Sequence, residues 1–286
     1  MLVATVNHHN IKEASKYASG LILTNRLSNY SDSLFSFEEI KSILKDYPNH
    51  EIFIFIDALY FDSDLKEIKE FILAFKDTKL KYIFGDLAIY QFLKEFGILN
   101  KGIYYPYTMI ANYADLNCFK GQLYGVCPTN EIPLKDVDFI AENKGDLKIF
   151  FKAFGYSLMY QSKRMILSTY QKAKKKDFVL NNDLYLVEET RDDKYKVLEN
   201  HHGSFIFQSG IFNILEALDK VKNVDYIILD SRFIADDKFI EALKIYHDAS
   251  NDLDNLKSYN QKLKDIFDNL NNDFIYEDSI FRKEDF

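Results

Sequence analysis

Polar side chains stand at the ends of several short apolar runs, where they could do chemistry together. His8 follows the run at residues 2–6, Asp57 ends the run at 51–57, and Asp86 follows the run at 80–85. If the runs are parallel strands, these groups gather at one end of the sheet, where two carboxylates could hold a metal or share a proton. The alternative is that each Asp caps the helix that follows it. A single Asp is better explained as a cap, and several polar groups converging on one mouth would favour a site.

Sequence motifs for hydrolysis or metal binding are missing. The pairs at residues 8–9 and 201–202 are adjacent histidines, and neighbours in a strand point to opposite faces, so we expect neither pair to ligate one metal. No H-E-x-x-H, C-x-x-C, P-loop or G-x-S-x-G pattern occurs. The motifs alone therefore predict no metal site and no hydrolase.

A basic segment contrasts with the acidic chain around it. The whole chain has a formal net charge of −8, yet residues 147–176 contain eight bases and no acid. The bases are Lys148, Lys152, Lys163, Arg164, Lys172, Lys174, Lys175 and Lys176. Tyrosines at 156, 160 and 170 are interleaved with them, and cations beside aromatic rings are typical of contact with single-stranded or looped RNA. A solvated basic face is the alternative, and the pattern leaves both open.

The elements that must position these residues alternate along the chain. Seven apolar runs precede residue 152 and an eighth lies at 226–230, with amphipathic helical patterns between them. This rhythm predicts an α/β fold, a (β/α)₈ TIM-like barrel over residues 1–250. An antiparallel β-containing insertion at 155–220, between the seventh and eighth strands, carries most of the basic segment over the C-terminal face. Residues 251–286 are predicted to form a C-terminal helix and tail.

The composition indicates the cellular compartment of the protein and limits the class of partner that it can bind. The N-terminus lacks the pattern of a signal peptide, no apolar run reaches 18 residues, and the two cysteines, Cys118 and Cys127, are too few for a disulfide framework. We therefore expect a soluble cytoplasmic protein that does not contact membranes. The acidic total argues against indiscriminate coating of nucleic acid, but it leaves room for a local basic patch.

Four blocks of residues, in order, resemble a known family. Residues 126–137 (VCPTNEIPLKDV) resemble its Arg-Glu-Leu-Ser-Leu-type motif, with Glu131 on the motif's Glu. Gly155 and residues 162–164 (SKR) resemble a signature of His-Gly followed by Ser-Gly-Arg-Cys, and residues 203–207 (GSFIF) resemble the β-insertion that follows it. Residues 228–232 (ILDSR) resemble a Lys-Ile-Glu-Gly-Arg motif at the last strand. The family is that of the collagenase-like peptidases, peptidase family U, number 32.

The resemblance implies a division of roles among these residues. Glu131, Asp230 and Arg232 would make polar contacts inside the mouth as catalytic candidates. The implied substrate- or RNA-binding set is Gly155, Ser162, Lys163, Arg164, Lys172, Lys174, Lys175 and Lys176. Phe154, Leu158 and Met165 stand where the family has His and Cys. The four thiolates of the family's iron–sulfur cluster are therefore missing, and no cofactor is expected in this chain.

The resemblance also implies a function. This sequence is similar to the shorter, cysteine-poor paralogues of the family, which points to a subunit in tRNA wobble-uridine hydroxylation, the formation of 5-hydroxyuridine. Its expected partners are tRNA and a longer paralogue that carries any cluster. One alternative is a peptidase, which needs an activated nucleophile or a metal-bound water. The other is a non-catalytic scaffold.

Overall fold

Eight parallel strands form a closed barrel at the centre of the molecule. The computed structural model describes residues 1–29, 34–180, 183–190, 192–272 and 274–277. In chain order the strands are β1 (Leu2–Thr5), β2 (Gly20–Leu23), β3 (Glu51–Ile56), β4 (Lys81–Phe84), β5 (Gly102–Tyr104), β6 (Gly125–Val126), β7 (Lys148–Ser162), β8 (Tyr185–Val187), β9 (Lys194–Asn200), β10 (Gly203–Asn213), β11 (Tyr226–Leu229) and β12 (Leu270–Asn271). Strands β1 to β7 pair in sequence, and β11 pairs with both β1 and β7. The predicted (β/α)₈ barrel is confirmed.

The barrel strands are apolar on both faces because one face lines the interior and the other meets the helices. In β3, Phe53 and Phe55 point into the barrel, whereas Ile52, Ile54 and Ile56 belong to the outer core. Because successive side chains alternate between these two buried faces, the sequence of the strand is a continuous apolar run.

Helices separate the strands as the periodicity predicts, with two differences. They are α1 (Ile11–Ala14), α2 (Phe37–Asp46), α3 (Leu65–Phe75), α4 (Leu87–Glu95), α5 (Leu134–Glu142), α6 (Ile166–Lys174), α7 (Asp236–Ser250) and α8 (Leu256–Lys264). A Ser36–Glu39 capping box begins α2. Helix α1 is only one turn, and between β5 and β6 the chain forms a 3₁₀ turn over Asp115–Cys118 instead of an α-helix.

The seventh strand is much longer than its apolar run at 147–151 suggests. After leaving the barrel, β7 continues to Ser162 because β10 pairs with it in antiparallel orientation. Sheet order here is β7-β10-β9-β8, and α6 lies between β7 and β8 in the chain. Register shifts between Ile206 and Ile211 mark where the hairpin departs from the barrel. We call the described residues of 157–207 the arm.

The C-terminal helices cover the outside of the barrel. Tyr246 of α7 is fully buried, and its hydroxyl donates to the carbonyl of Ala153, 2.8 Å away. Leu263 of α8 is buried, and β12 pairs with the end of β10. Across the described ranges, no helix combines the length and apolarity that crossing a bilayer requires.

Candidate functional site at the covered barrel mouth

Asp57 is the centre of a buried polar cluster at the C-terminal end of β3. The Tyr107 hydroxyl donates to Asp57 Oδ2 at 2.6 Å, and the Asn29 backbone N–H donates to Oδ1 at 2.9 Å. Arg232 Nη2 lies 3.8 Å from Asp57 Oδ2, and both side chains are buried. The cluster therefore joins the loops that follow β2, β3, β5 and β11.

A second buried acid–base pair lies beside the first. Lys152 Nζ, on β7, is 3.7 Å from Asp230 Oδ2 at the end of β11. Gly155 permits this arrangement: its φ is +121°, and a Cβ there would lie 2.6 Å from the Asp230 carbonyl oxygen. Gly155 thus allows β7 to approach β11 closely.

Burial keeps the other ionisable groups of the mouth protonated. Desolvation raises the pKa of the Tyr107 phenol, and the charge of Asp57 raises it further. Desolvation also raises the pKa of the Tyr105 phenol, whose ring centroid is 4.5 Å from that of Tyr107. Desolvation also raises the pKa of the buried Cys127 thiol, so it is not an activated nucleophile. The mouth can therefore donate hydrogen bonds to polar groups, but this thiol does not serve as a thiolate.

The arm covers the mouth from the side of β7. At its tip, the Nε2 atoms of His201 and His202 lie 2.9 and 2.8 Å from the Arg26 carbonyl oxygen, in the loop after β2. The His202 ring also packs edge-on against Tyr60, with centroids 5.4 Å apart. Lys163 Nζ lies 3.9 Å from the centroid of the Phe61 ring in the loop after β3.

The underside of the arm reaches the polar cluster itself. Phe207 of β10 lies against the Arg232 guanidinium, with Cζ 4.9 Å from the ring centroid. Phe207 also packs edge-on against Phe233. Asp57 and Arg232 are both buried, and the arm contributes to covering the Arg232 guanidinium.

The prediction that adjacent histidines diverge is wrong for His201 and His202. It assumed a strand, but these residues form the turn between β9 and β10, so both rings point to the same carbonyl. Within the described residues, no group of three or more His, Cys, Asp or Glu side chains could hold a metal.

The three mouth candidates from the sequence separate in the structure. Asp57 lies in the buried cluster, whereas Asp86 caps α4 by accepting from the Ala88 N–H at 2.9 Å. His8 lies on the rim, where its Nε2 is 3.0 Å from Glu39 Oε1. Helix capping therefore explains Asp86 but not Asp57.

Of the three residues implied as catalytic, the structure brings two together. Asp230 and Arg232 are both buried at the end of β11, and the Arg232 N–H donates to Asp230 Oδ1 at 3.0 Å. Glu131 is exposed in the loop after β6.

The basic segment divides into three parts. Lys148 forms an ion pair with Asp225 at 3.0 Å near the opposite end of the barrel, and Lys152 belongs to the mouth. The other six bases lie on the arm, and all except the half-buried Lys163 are exposed. Ser162, the last residue of β7, accepts a hydrogen bond from the Arg164 N–H at 3.2 Å.

The N-terminus of α6 is already occupied by a carboxylate. Glu199 of β9 accepts hydrogen bonds from the N–H groups of Leu167 and Ser168, at 2.7 and 3.1 Å. Because this side chain fills the position that an anion would take, phosphate contact on α6 would rely on the lysines near its C-terminal end.

Sequence reasoning did not pair Asn29 with Asp57, and it did not place Lys152 in the mouth. Tyr107 follows β5, and its position at a strand end predicts a mouth residue. Asn29 lies six residues beyond β2, and no spacing rule brings it to Asp57. Its buried side-chain amide atoms have no hydrogen-bond partner in the described part of the chain.

The residues present do not fit an iron–sulfur cluster. Phe154 packs against Tyr246 and Phe267 in the outer core, with ring centroids 5.9 and 5.5 Å away. The chain has two cysteines, one exposed and one buried, where such a cluster needs four thiolates. No step through a cluster can be derived for this chain.

The fold and the mouth define a TIM-like barrel protein with a polar cluster under an inserted arm. The model of Peptidase family U32 matches residues 23–283, and the chain belongs to that family. It is 22% identical over 231 residues to the tRNA hydroxylation protein P2 of Bacillus subtilis (strain 168), covering 77% of this chain and 74% of that relative. It also resembles a solved structure, the N-terminal domain of an aldolase candidate from Bacteroides vulgatus. The TM-score is 0.41 and the identity 10%, over 94% of this chain and 89% of that one.

Proposed function

We propose that this chain is a subunit in the hydroxylation of tRNA wobble uridine, acting with a longer, cysteine-containing member of the family. The observation that carries the proposal is the similarity to a tRNA hydroxylation protein, over most of both chains. Family membership alone is also compatible with a peptidase, but the buried Cys127 thiol has a raised pKa. The mouth therefore supplies no thiolate nucleophile for peptide hydrolysis.

Contact with tRNA would be made by the arm. Lys172, Lys174, Lys175 and Lys176 lie at the C-terminal end of α6 and are exposed, and no ion pair involves them among the described residues. Tyr170 on the same helix is 43% exposed and offers a ring for stacking. Exposed ammonium groups beside an aromatic ring suit the phosphates and splayed bases of an anticodon loop.

The mouth would then receive the target base. Its donors and acceptors belong to Asp57, Tyr107, Arg232, Lys152 and Asp230, all within the barrel end that the arm covers. Binding tRNA on the arm would place the anticodon loop next to this opening, and moving the arm would admit one nucleotide. The oxidising step is assigned to the longer partner, since this chain lacks the ligands for a cluster.

Deleting the gene tests the function directly. We expect 5-hydroxyuridine to disappear from tRNA hydrolysates analysed by mass spectrometry, and the wild-type gene to restore it. Normal 5-hydroxyuridine in the deletion strain would refute the proposal. Gelatin or casein cleavage by the purified chain would instead support the peptidase alternative.

Changing the four α6 lysines to Gln tests the RNA-binding surface. If each contacts one phosphate, the slope of log affinity against log salt should fall by about 3, at roughly 0.7 per contact for single-stranded RNA. The measurement is anisotropy of labelled, unmodified tRNA at several salt concentrations. The matched control replaces four exposed lysines on α7 and α8, Lys244, Lys257, Lys262 and Lys264, and should leave the slope unchanged. Equal slopes for both variants would place RNA elsewhere.

A further inference from the structure

Strand β8 is an edge of the arm sheet, and its apolar side chains are exposed. It pairs with β9 on one side, and no other described strand pairs with it. Tyr185, Leu186 and Val187 are 47%, 42% and 56% exposed, so neither face of the strand is covered. Exposed apolar side chains on an open edge strand are a recognised feature of interaction surfaces.

The register shows which backbone groups face outward. The Val197 N–H donates to the Leu184 carbonyl at 3.1 Å, so Leu184 and Val197 are a hydrogen-bonded pair. Hydrogen-bonded and non-hydrogen-bonded pairs alternate along an antiparallel ladder. The N–H and C=O groups of Tyr185 and Val187 therefore point away from β9, toward the open edge.

The residues flanking β8 make this edge acidic. Asp183 precedes the strand, and four further acids, all of them exposed, follow it within six residues; together these five acids outnumber the two bases of the same stretch, Arg191 and Lys194. The four acids after the strand are Glu188, Glu189, Asp192 and Asp193. Two β8 strands pairing with each other would bring these carboxylates together, which is unfavourable. The edge therefore suits a strand that carries the opposite charge.

We propose that β8 is the docking edge for the second protein of the complex, which adds an extended strand with apolar residues flanked by Lys or Arg. The identity of that protein rests on the proposed function. The added strand would accept hydrogen bonds from the Tyr185 and Val187 N–H groups, and its side chains would cover the three exposed residues of β8.

The test mixes this chain with the longer U32 protein of the same genome and measures affinity by isothermal titration calorimetry. Val187→Pro removes an outward N–H, and proline is tolerated on edge strands. We expect it to weaken binding at least tenfold while the melting temperature stays unchanged. Val179→Pro makes the same substitution at an exposed valine outside the strand and should change the affinity less than twofold. Raising the salt concentration should weaken binding of the wild-type chain.

Hydrogen exchange of the complex provides a second readout. The Tyr185 and Val187 amides should exchange fast in the free chain and become protected on binding. Equal affinity of the Val187→Pro variant, unprotected amides in the complex, or no complex at all would each overturn the docking edge. None of these results depends on 5-hydroxyuridine, whose persistence in the deletion strain would refute the proposed function separately.

Discussion

Replacing Asp57 by Asn tests whether the mouth is held together by a buried charge. The substitution keeps the shape of the side chain and removes its negative charge. Two hydrogen bonds, from the Tyr107 hydroxyl and the Asn29 N–H, then lose an ionised acceptor, and Arg232 loses the carboxylate 3.8 Å away. We expect this variant to unfold more easily than any substitution on the exposed rim.

The size of the effect follows from these contacts. A hydrogen bond to a charged group contributes about 1 kcal/mol more than a neutral one, so the two bonds account for about 2 kcal/mol. Removing one partner of a fully buried ion pair in close contact costs about 3–5 kcal/mol. Because Arg232 and Asp57 are 3.8 Å apart, we expect the loss of their contact to cost less, about 1 kcal/mol. The expected loss is therefore about 3 kcal/mol in the free energy of unfolding.

Urea denaturation followed by circular dichroism measures this loss. Asp86→Asn is the matched control, because Asn caps a helix as well as Asp does and should cost less than about 0.5 kcal/mol. Adding Arg232→Met to Asp57→Asn removes both partners of the ion pair, so the double variant should be about 1 kcal/mol more stable than additivity predicts. Strictly additive costs, or equal costs for Asp57→Asn and Asp86→Asn, would refute the account of the cluster.

Two other substitutions probe the arm and the opposite end of the barrel. His202→Ala removes the contacts with the Arg26 carbonyl and with the edge-on Tyr60 ring. Amide hydrogen exchange across residues 194–206 should therefore speed up about tenfold. The control variant His8→Ala, on the rim, should leave that exchange unchanged. Burial lowers the pKa of His202, so in the wild-type chain the protection factors of these amides, which correct for the slower intrinsic exchange at low pH, should fall as the pH drops below the ordinary value of 6.5. Glu51→Gln should cost about 1–2 kcal/mol at pH 7, because hydrogen bonds from Lys81 and Tyr226 outweigh burial and lower the pKa of Glu51. That cost should shrink below pH 4.5, because Glu51 in the wild-type chain then becomes protonated. Denaturation of both chains at pH 7 and at pH 3.5 measures it. An equal difference in the free energy of unfolding between wild type and variant at the two pH values would contradict the prediction.

The barrel could be predicted from the sequence because each strand is buried on both faces. Runs such as residues 51–56 have no polar interruption except at the ends, and the helices between them keep a clear apolar stripe. The second half of β7 was not predictable in this way. Its residues at 157–162 are held by pairing with β10, more than 40 positions later, and local composition does not encode such a partner.

The mouth was only partly predictable for a similar reason. Strand ends identify Asp57 and Asp230, since parallel strands all end at one face. Helix capping, which the sequence favours for a single Asp, accounts for Asp86. Strand ends do not show that Lys152 points inward two residues after Phe150. The inward direction of Lys152 follows from the strand period once β7 is known to begin at Lys148.

The apolar substitutions in the family signature have a structural consequence beyond the loss of ligands. Phe154, where the family has His, is fully buried between the barrel and the C-terminal helices, and the Tyr246 hydroxyl beside it is bound to the Ala153 carbonyl. Restoring His there would bury an imidazole among Phe267 and Tyr246, which is costly without a hydrogen-bond partner. Position 154 is therefore core packing in this chain, whereas Asp57, Arg232 and Lys152 place charged groups in the mouth. Such a mouth suits the binding of a polar group.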